Sequence, residues 1–217
     1  MLKSYVIRTG HFTQAQKKAY ESLADKFIVR TEKVDFKNIF NNDFGVTLEI
    51  GFGMGNTTAE IAQANPGKNY LGIEVHRPGI GKLLWEIEKR ALFNIRIIEN
   101  DAKLVIKDML PEKSLDAIHI FFPDPWPKKR HHKRRLVQRP FTDNLAACIK
   151  PGGYLYMVTD WEDYALSALS ELNLTPGLKN AWDGFAPAVP WRPKTKFELK
   201  GLAKEHLIRE LYFTADS

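Results

Sequence analysis

The sequence predicts an α/β domain built on a mostly parallel sheet with helices on both faces. Short β-prone runs alternate with segments of helical period in the order βαβαβ, and the runs end in glycines or acids. The 217 residues, 44% apolar and 12% aromatic, are enough for one sizeable core. Right-handed crossovers then place helices on both faces of the sheet. One domain over 1–217 is expected, with 1–36 as an arm and flanking helix and 46–217 as the core. No internal repeat or low-complexity linker divides it.

Residues 1–12 lack a period and read as an arm. From Thr13 the pattern turns helical, with Tyr20, Leu23, Ala24 and Phe27 on one stripe. Residues 37–45, rich in Asn and Asp, read as a loop. Val46 to Ile50 is a strand, Gly51 to Gly55 a turn, and Asn56 to Ile61 the start of a capped helix. Asn65-Pro66-Gly67 ends that helix before a second strand, Tyr70 to Val75. Pro78 opens a helix with Ile80, Leu83, Leu84 and Ile87 at helical spacing, and Ile95 to Ile98 is a third strand.

Ala117 to Phe122 is a fourth, buried strand that runs into Pro123-Asp124-Pro125-Trp126-Pro127, whose prolines forbid a continuing ladder. Beyond the basic stretch, Pro140 opens a helix reaching Ile149. Lys150 to Gly153 is a turn, Tyr154 to Val158 a fifth strand, and Trp161, Tyr164, Ala165 and Ala168 mark another helix. Asn173 to Trp191 is a long loop with room for a short strand, and His206 to Thr214 closes the sheet.

The charge distribution narrows the function. The formal charge is +6, and removing the six Lys and Arg of residues 128–135 leaves 26 cations against 26 anions. The whole imbalance sits in one stretch, which reads as a phosphate footprint rather than a uniformly solvated surface. Cys148 is the sole cysteine, so no intrachain disulfide forms, and its apolar neighbours make it an inert core thiol. The N-terminus lacks a secretory apolar region and no run reaches the roughly 20 residues that span a bilayer, so a cytoplasmic protein without membrane contact is expected. No Cys, His and acid cluster has metal-ligand spacing.

In a parallel sheet, ligands bind at the carboxyl ends of strands, and Glu49, Glu74, Asp101, Asp124 and Asp160 all fall at or just past such ends. Gly51-x-Gly53-x-Gly55 lacks the third spacing of the dinucleotide fingerprint. Glu49 puts negative charge beside the turn, where a pyrophosphate is repelled but a sulfonium or amino group is held. Glu74 suits ribose hydroxyls, and Asn100-Asp101 suits an adenine amino group. The acids therefore favour S-adenosylmethionine over a nicotinamide, although Glu49 also reads as a structural acid near a helix start.

Glu49-Ile50-Gly51-Phe52-Gly53-Met54-Gly55, Gly72-Ile73-Glu74, Asn100-Asp101-Ala102, the Pro123 to Arg135 block and Thr195-Lys196-Phe197-Glu198 carry a specific likeness. Through them the sequence resembles the bacterial tRNA (guanine-N7-)-methyltransferases over nearly the whole chain. The resemblance implies a Rossmann-like class I methyltransferase fold, seven-stranded with one antiparallel strand near its edge. It implies that Glu49, Gly51, Gly53, Glu74, Asn100 and Asp101 hold S-adenosylmethionine, released as S-adenosylhomocysteine, and that Asp124 faces donor and base as the catalytic residue. Lys128, Asp160, Thr195, Lys196, Phe197 and Glu198 are implied to contact guanosine, and Arg130, His131, His132, Lys133, Arg134 and Arg135 the tRNA backbone. His11 and Lys200 depart from the family pattern, which has Arg at both places, and a Lys loses the bidentate fork. Monomer and homodimer stay open.

Guanine N7 carries an in-plane lone pair and no hydrogen, so its methylation needs no general base. Asp124 is accordingly expected to orient the base and stabilise positive charge. Trp126 either stacks on the base or packs the turn. Two other readings compete. Asp124-Pro125-Trp126 loosely echoes the loop of exocyclic-amine methyltransferases, and the chain could be a non-catalytic RNA-binding module; intact acids at each donor position argue against the latter.

Overall fold

The computed structural model describes residues 4–5, 12–195, 198 and 207–216. The apolar runs become strands β1 (Val46–Ile50), β2 (Asn69–Glu74), β3 (Ile95–Glu99), β4 (Leu115–Phe121) and β5 (Ile149–Thr159), followed by β6 (Leu178–Asn180) and β7 (Arg209–Ala215). They form one seven-stranded sheet in the order β3-β2-β1-β4-β5-β7-β6. β1 to β5 pair in parallel, whereas β7 lies antiparallel between β5 and β6. The path leaves β1 towards β2 and β3, then returns to start β4 on β1's other side. That reversal opens a crevice at the carboxyl ends of β1 and β4.

Alternation along the strands gives the sheet two apolar faces. Leu48, Ile118, Ile120, Leu155 and Met157 point to one, packed with Phe141, Leu145, Tyr164 and Leu172. Those partners come from α6 (Phe141–Cys148) and α7 (Glu162–Asn173). Tyr70, Ile97, Tyr156 and Val158 point to the other, under Ala19, Phe27, Ile61, Ile80 and Leu84. These belong to α1 (Gln14–Phe27), α3 (Asn56–Ala64) and α4 (Arg77–Lys89). α1 starts at Thr13, whose hydroxyl accepts from the Gln16 N–H while the Gln16 side chain accepts from Thr13. Cys148 is buried, and burial pushes its thiol up to about 11.

Some elements differ from expectation. The stretch read as a loop over 37–45 contains α2 (Phe36–Phe40), capped by Asp35 and ended at Asn41 in the left-handed region. Its apolar side, with Phe40 buried, outweighs the polar composition. Lys150 to Gly153 does not end a strand; it bulges out of β5, and the pairing jumps from Leu115 opposite Ile149 to Ala117 opposite Tyr154. α3 has no side-chain cap, because Gly55 occupies the cap position. A single turn, α5 (Ala102–Leu104), continues into a π-helical turn at Val105–Met109 that no sequence period announces. β4 ends one residue early, at Phe121. Most of the N-terminal arm, with His11, lies outside the described residues, as do Lys196, Phe197 and Lys200.

The start of α4 abuts the glycine turn after β1. A β-carbon on Gly79 would stand 2.0 Å from the Gly53 carbonyl oxygen. Gly79→Ala is therefore expected to destabilise the protein by about 1–3 kcal/mol through overpacking, read as a lower thermal midpoint. An unchanged midpoint would show that α4 can move away at no cost.

Candidate active site between strands β1 and β4

Gly51 and Gly53 adopt φ of 74° and 58°, so the chain turns sharply from β1 towards α3 where only glycine is unstrained. The turn is tied down from β2: Gly51 donates to the Ile73 carbonyl at 2.8 Å, and Gly53 donates to Glu74 Oε2 at 2.8 Å. Glu74 Oε1 accepts from the Val75 and His76 N–H groups at 2.7 and 3.0 Å. One half-buried carboxylate thus fixes both the glycine turn and the entry to α4. At the end of β3, Asp101 caps α5 by accepting from Lys103 at 2.9 Å, while Asn100 accepts from the Asp101 N–H.

Glu49 is only 5% exposed, on the same sheet face as Phe52 and Tyr156. Burial, with a smaller push from Glu74, raises its carboxyl to about 7 against the lowering effect of nearby Thr58. The Thr58 hydroxyl is itself buried without a hydrogen-bond partner. A buried acid beside an orphaned hydroxyl is a donor set suited to an ammonium group.

Asp124 sits half-buried in the loop after β4, close enough to Tyr164 to help burial raise that phenol to about 12. The residues on either side of the loop, Phe122 and Trp126, have φ of 48° and 47°, a left-handed conformation that costs a bulky residue about 1–3 kcal/mol. Phe122 donates to the Val158 carbonyl at 2.8 Å, and the Trp126 indole donates to the Ser4 carbonyl at 3.1 Å. Trp126 also lies under the Arg134 guanidinium, 4.9 Å from its ring centre, so in this structure it packs the turn.

The basic stretch forms a 3₁₀ helix over Lys129–Arg134, with Lys128, Lys129, Arg130 and Lys133 exposed and His131, His132 and Arg134 partly so. His131 is held below its ordinary range by partial burial and then by Arg130, Arg134, Lys128 and Lys133. Arg135 departs from the expectation of a backbone contact. It is 2% exposed and turned inward, bonded to Pro125 and Asp163, with its guanidinium 5.0 Å above the Tyr164 ring.

Asp160 follows directly after β5, half-buried near Thr159. Glu198 also departs from expectation: it is buried, and its two oxygens accept from Arg192 at 2.6 and 3.1 Å. Arg192 further donates to Glu210 at 2.8 Å and to the Tyr156 hydroxyl at 3.0 Å. Burial opposes its charge, but Glu198, Tyr156 and Glu210 outweigh that and hold the guanidinium above its ordinary range. Thr195 accepts from the Glu198 N–H at 3.0 Å and its own N–H donates to Glu198 Oε2 at 3.3 Å, so the two residues hold each other. Arg192 was missed in the sequence because its partner Glu210 lies on a strand 18 residues later.

A cavity of 370 Å³ opens at the outer edge of β3, not at Asp124. Arg77 and Tyr20 at its wall already share Glu99, and only Asn100 belongs to the predicted site. The crevice at β1 and β4 lies elsewhere, at the strand ends that carry Glu49 and lead into the Asp124 loop.

Residues 44–211 match a family model described as "Putative methyltransferase". A tRNA (guanine-N(7)-)-methyltransferase of Nitrosomonas eutropha is 52% identical over 98% of this chain and 96% of its own length. The chain belongs to the tRNA (guanine-N7-)-methyltransferase family. A family member from Chromobacterium violaceum is 47% identical over 98% of this chain and 95% of its own. Among solved structures, the 16S rRNA methyltransferase KamB superposes with a TM-score of 0.63 at 15% identity, covering 86% of this chain and 96% of that one. A SAM-dependent O-methyltransferase from Thermotoga maritima gives 0.53 at 18% identity, covering 87% and 68%. These distant likenesses confirm the Rossmann-like methyltransferase fold, with its one antiparallel strand at β7, expected of this family. No helix among the described residues is long and apolar enough to cross a membrane.

For this tRNA (guanine-N7-)-methyltransferase family member, the buried Glu49 makes stability pH-dependent. Its folded-state pKa of about 7 lies above the ordinary 4.5, so folding takes up a proton between these values and stability falls as pH rises through that window. Glu49→Gln is expected to be more stable than the parent above pH 7, by up to about 3 kcal/mol, with the gap closing towards pH 4.5. Urea unfolding at several pH values measures it, and a gap that does not vary with pH would refute the assignment.

Proposed function

We propose that the protein transfers a methyl group from S-adenosylmethionine to N7 of a guanosine in the variable loop of tRNA, releasing S-adenosylhomocysteine. The observation that carries this reading is the placement of Asp124. It stands on a strained, proline-built loop after β4, with Glu49 and the glycine turn on the adjacent strand β1 and the basic stretch 128–134 following it in the chain.

When bound, S-adenosylmethionine supplies an electrophilic methyl group. Glu49 receives its amino group, an interaction that also offsets the cost of burying that acid. Gly51 and Gly53 let the backbone come close, Glu74 reaches the ribose hydroxyls, and Asn100 with Asp101 faces the adenine. Asp124 accepts from the N–H edge of guanine and stabilises the positive charge that methylation leaves on the purine. It takes up no proton, since N7 has none to give, and the reaction has no requirement for a metal ion. Lys128, Asp160 and Thr195 orient the guanosine. Glu198, paired with Arg192, contributes by holding Thr195. Arg130, His131, His132, Lys133 and Arg134 follow the tRNA phosphates.

Incubation of unmodified tRNA with labelled donor, followed by nucleoside analysis, tests the reading; label on any atom other than guanine N7 overturns it. Asp124→Asn should fold and bind the donor yet lose about 100-fold or more in turnover, and near-normal turnover would remove Asp124 from its role. Arg130→Ala and Lys133→Ala should each raise KM for tRNA and reduce the slope of log KM against log salt by about 1. An unchanged slope in both would move the RNA path elsewhere.

A further inference from the structure

The loop that carries Asp124 has little means of holding its own shape. Pro123, Pro125 and Pro127 have no N–H to donate, and both flanking aromatics sit at left-handed φ. A conformation of that kind persists only when its surroundings over-determine it. Arg135 supplies such a constraint. Its Nε donates to the carbonyl of Pro125, the residue after Asp124, at 3.1 Å. Its Nη2 donates to the Asp163 carboxylate and lies 3.1 Å from His132 Nε2, while Nη1 is 3.5 Å from the Asp163 carbonyl. Asp163 stands in the first turn of α7, three residues past Asp160. Arg135 therefore bolts the loop after β4 to the segment after β5.

The bolt is itself braced. The guanidinium lies over the Tyr164 ring, whose hydroxyl accepts from both the Leu136 and Val137 N–H groups at 3.1 Å. The exposed Asp163 carboxyl is held below its usual range chiefly by the hydrogen bond from Arg135. Nε and Nη2 are thus engaged inside the protein and the residue is 2% exposed, which leaves little of the fork to face a phosphate. A lysine would bring the same charge to the same place but cannot reach the Pro125 carbonyl and Asp163 together.

We propose that Arg135, with Asp163, is a positioning residue that sets the Asp124 loop for methyl transfer, although it lies in a run of tRNA-facing cations. This rests on the reading of Asp124 as the catalytic residue.

The test measures methyl transfer to unmodified tRNA over a salt series, with calorimetric titration of S-adenosylmethionine, for Arg135→Lys, Arg135→Gln, Asp163→Asn and Asp124→Asn. A positioning role predicts that Arg135→Lys and Asp163→Asn each lower kcat by about 10- to 100-fold. KM for tRNA, donor affinity and donor stoichiometry stay near parental values. It also predicts that Arg135→Gln, which removes a charge, leaves the salt slope of KM unchanged. A phosphate contact predicts the reverse: Arg135→Lys near normal, Arg135→Gln with a slope reduced by about 1, and Asp163→Asn binding tRNA more tightly at parental kcat. That pattern overturns the proposal, as does a fall in donor stoichiometry matching the fall in kcat, which would mean that the variants only unfold. Should Arg135→Gln not fold, Asp163→Asn, altered at an exposed carboxylate, decides alone. Asp124→Asn separates the two readings. Inactive Asp124→Asn with normal Arg135→Lys and Asp163→Asn sinks the positioning role only; normal Asp124→Asn with slow Arg135→Lys and Asp163→Asn sinks the catalytic assignment and supports the bolt.

Discussion

The loop that carries Asp124 depends on bonds that originate outside it. Alternate prolines from Pro123 to Pro127 remove backbone donors from the stretch that carries Asp124, so its conformation is set by the chain that surrounds it. Phe122 is drawn to Val158 of β5, and Pro125 is reached by Arg135. The Trp126 indole takes the Ser4 carbonyl. The result is a rigid turn whose rigidity is borrowed, and each of these attachments is a separate route by which a distant residue governs the position of one carboxylate.

Electrostatics divides the site into two environments. At the ends of β1 and β2 the acids are buried or pinned: Glu49 sits in the sheet at a desolvation cost, and Glu74 is committed to three backbone N–H groups. In the 128–134 stretch the cations are exposed or partly so, where each contributes little alone and much as a group facing a polyanion. Asp124 lies between the two in the chain, and in the methyl transfer proposed above its carboxylate meets a cationic donor and a base that becomes cationic.

Much of this was legible in the sequence, for local reasons. Strands β1 to β5 are apolar runs bounded by glycine, proline or acid, and the glycine turn announces itself by composition. Glu49, Glu74, Asp101, Asp124 and Asp160 stand at or just past strand ends, as the sequence predicts. What escaped was non-local or set by packing. α2 hides in a polar stretch because its cap, Asp35, and its buried Phe40 lie at the margins of the Asn-rich window. The bulge at Lys150 to Gly153 reads as a turn because it contains turn residues; only pairing with β4 shows that the strand continues through it. Arg135 carries the same charge as its neighbours, and nothing local separates an arginine facing a phosphate from one facing Asp163. Glu198 likewise shows no sign in the sequence of its partner Arg192, which is fixed by Glu210 on β7.

The position of β7 has a consequence for how the molecule comes into being. This strand is the last element of the chain, yet it is inserted between β5 and β6 and brings Glu210 to the guanidinium that clamps Glu198. During synthesis β1 to β6 are made before that strand, so β5 and β6 must leave a slot open for it. The Arg192 cluster closes only once β7 has entered between them, and the two ends of the sheet are therefore completed at different times.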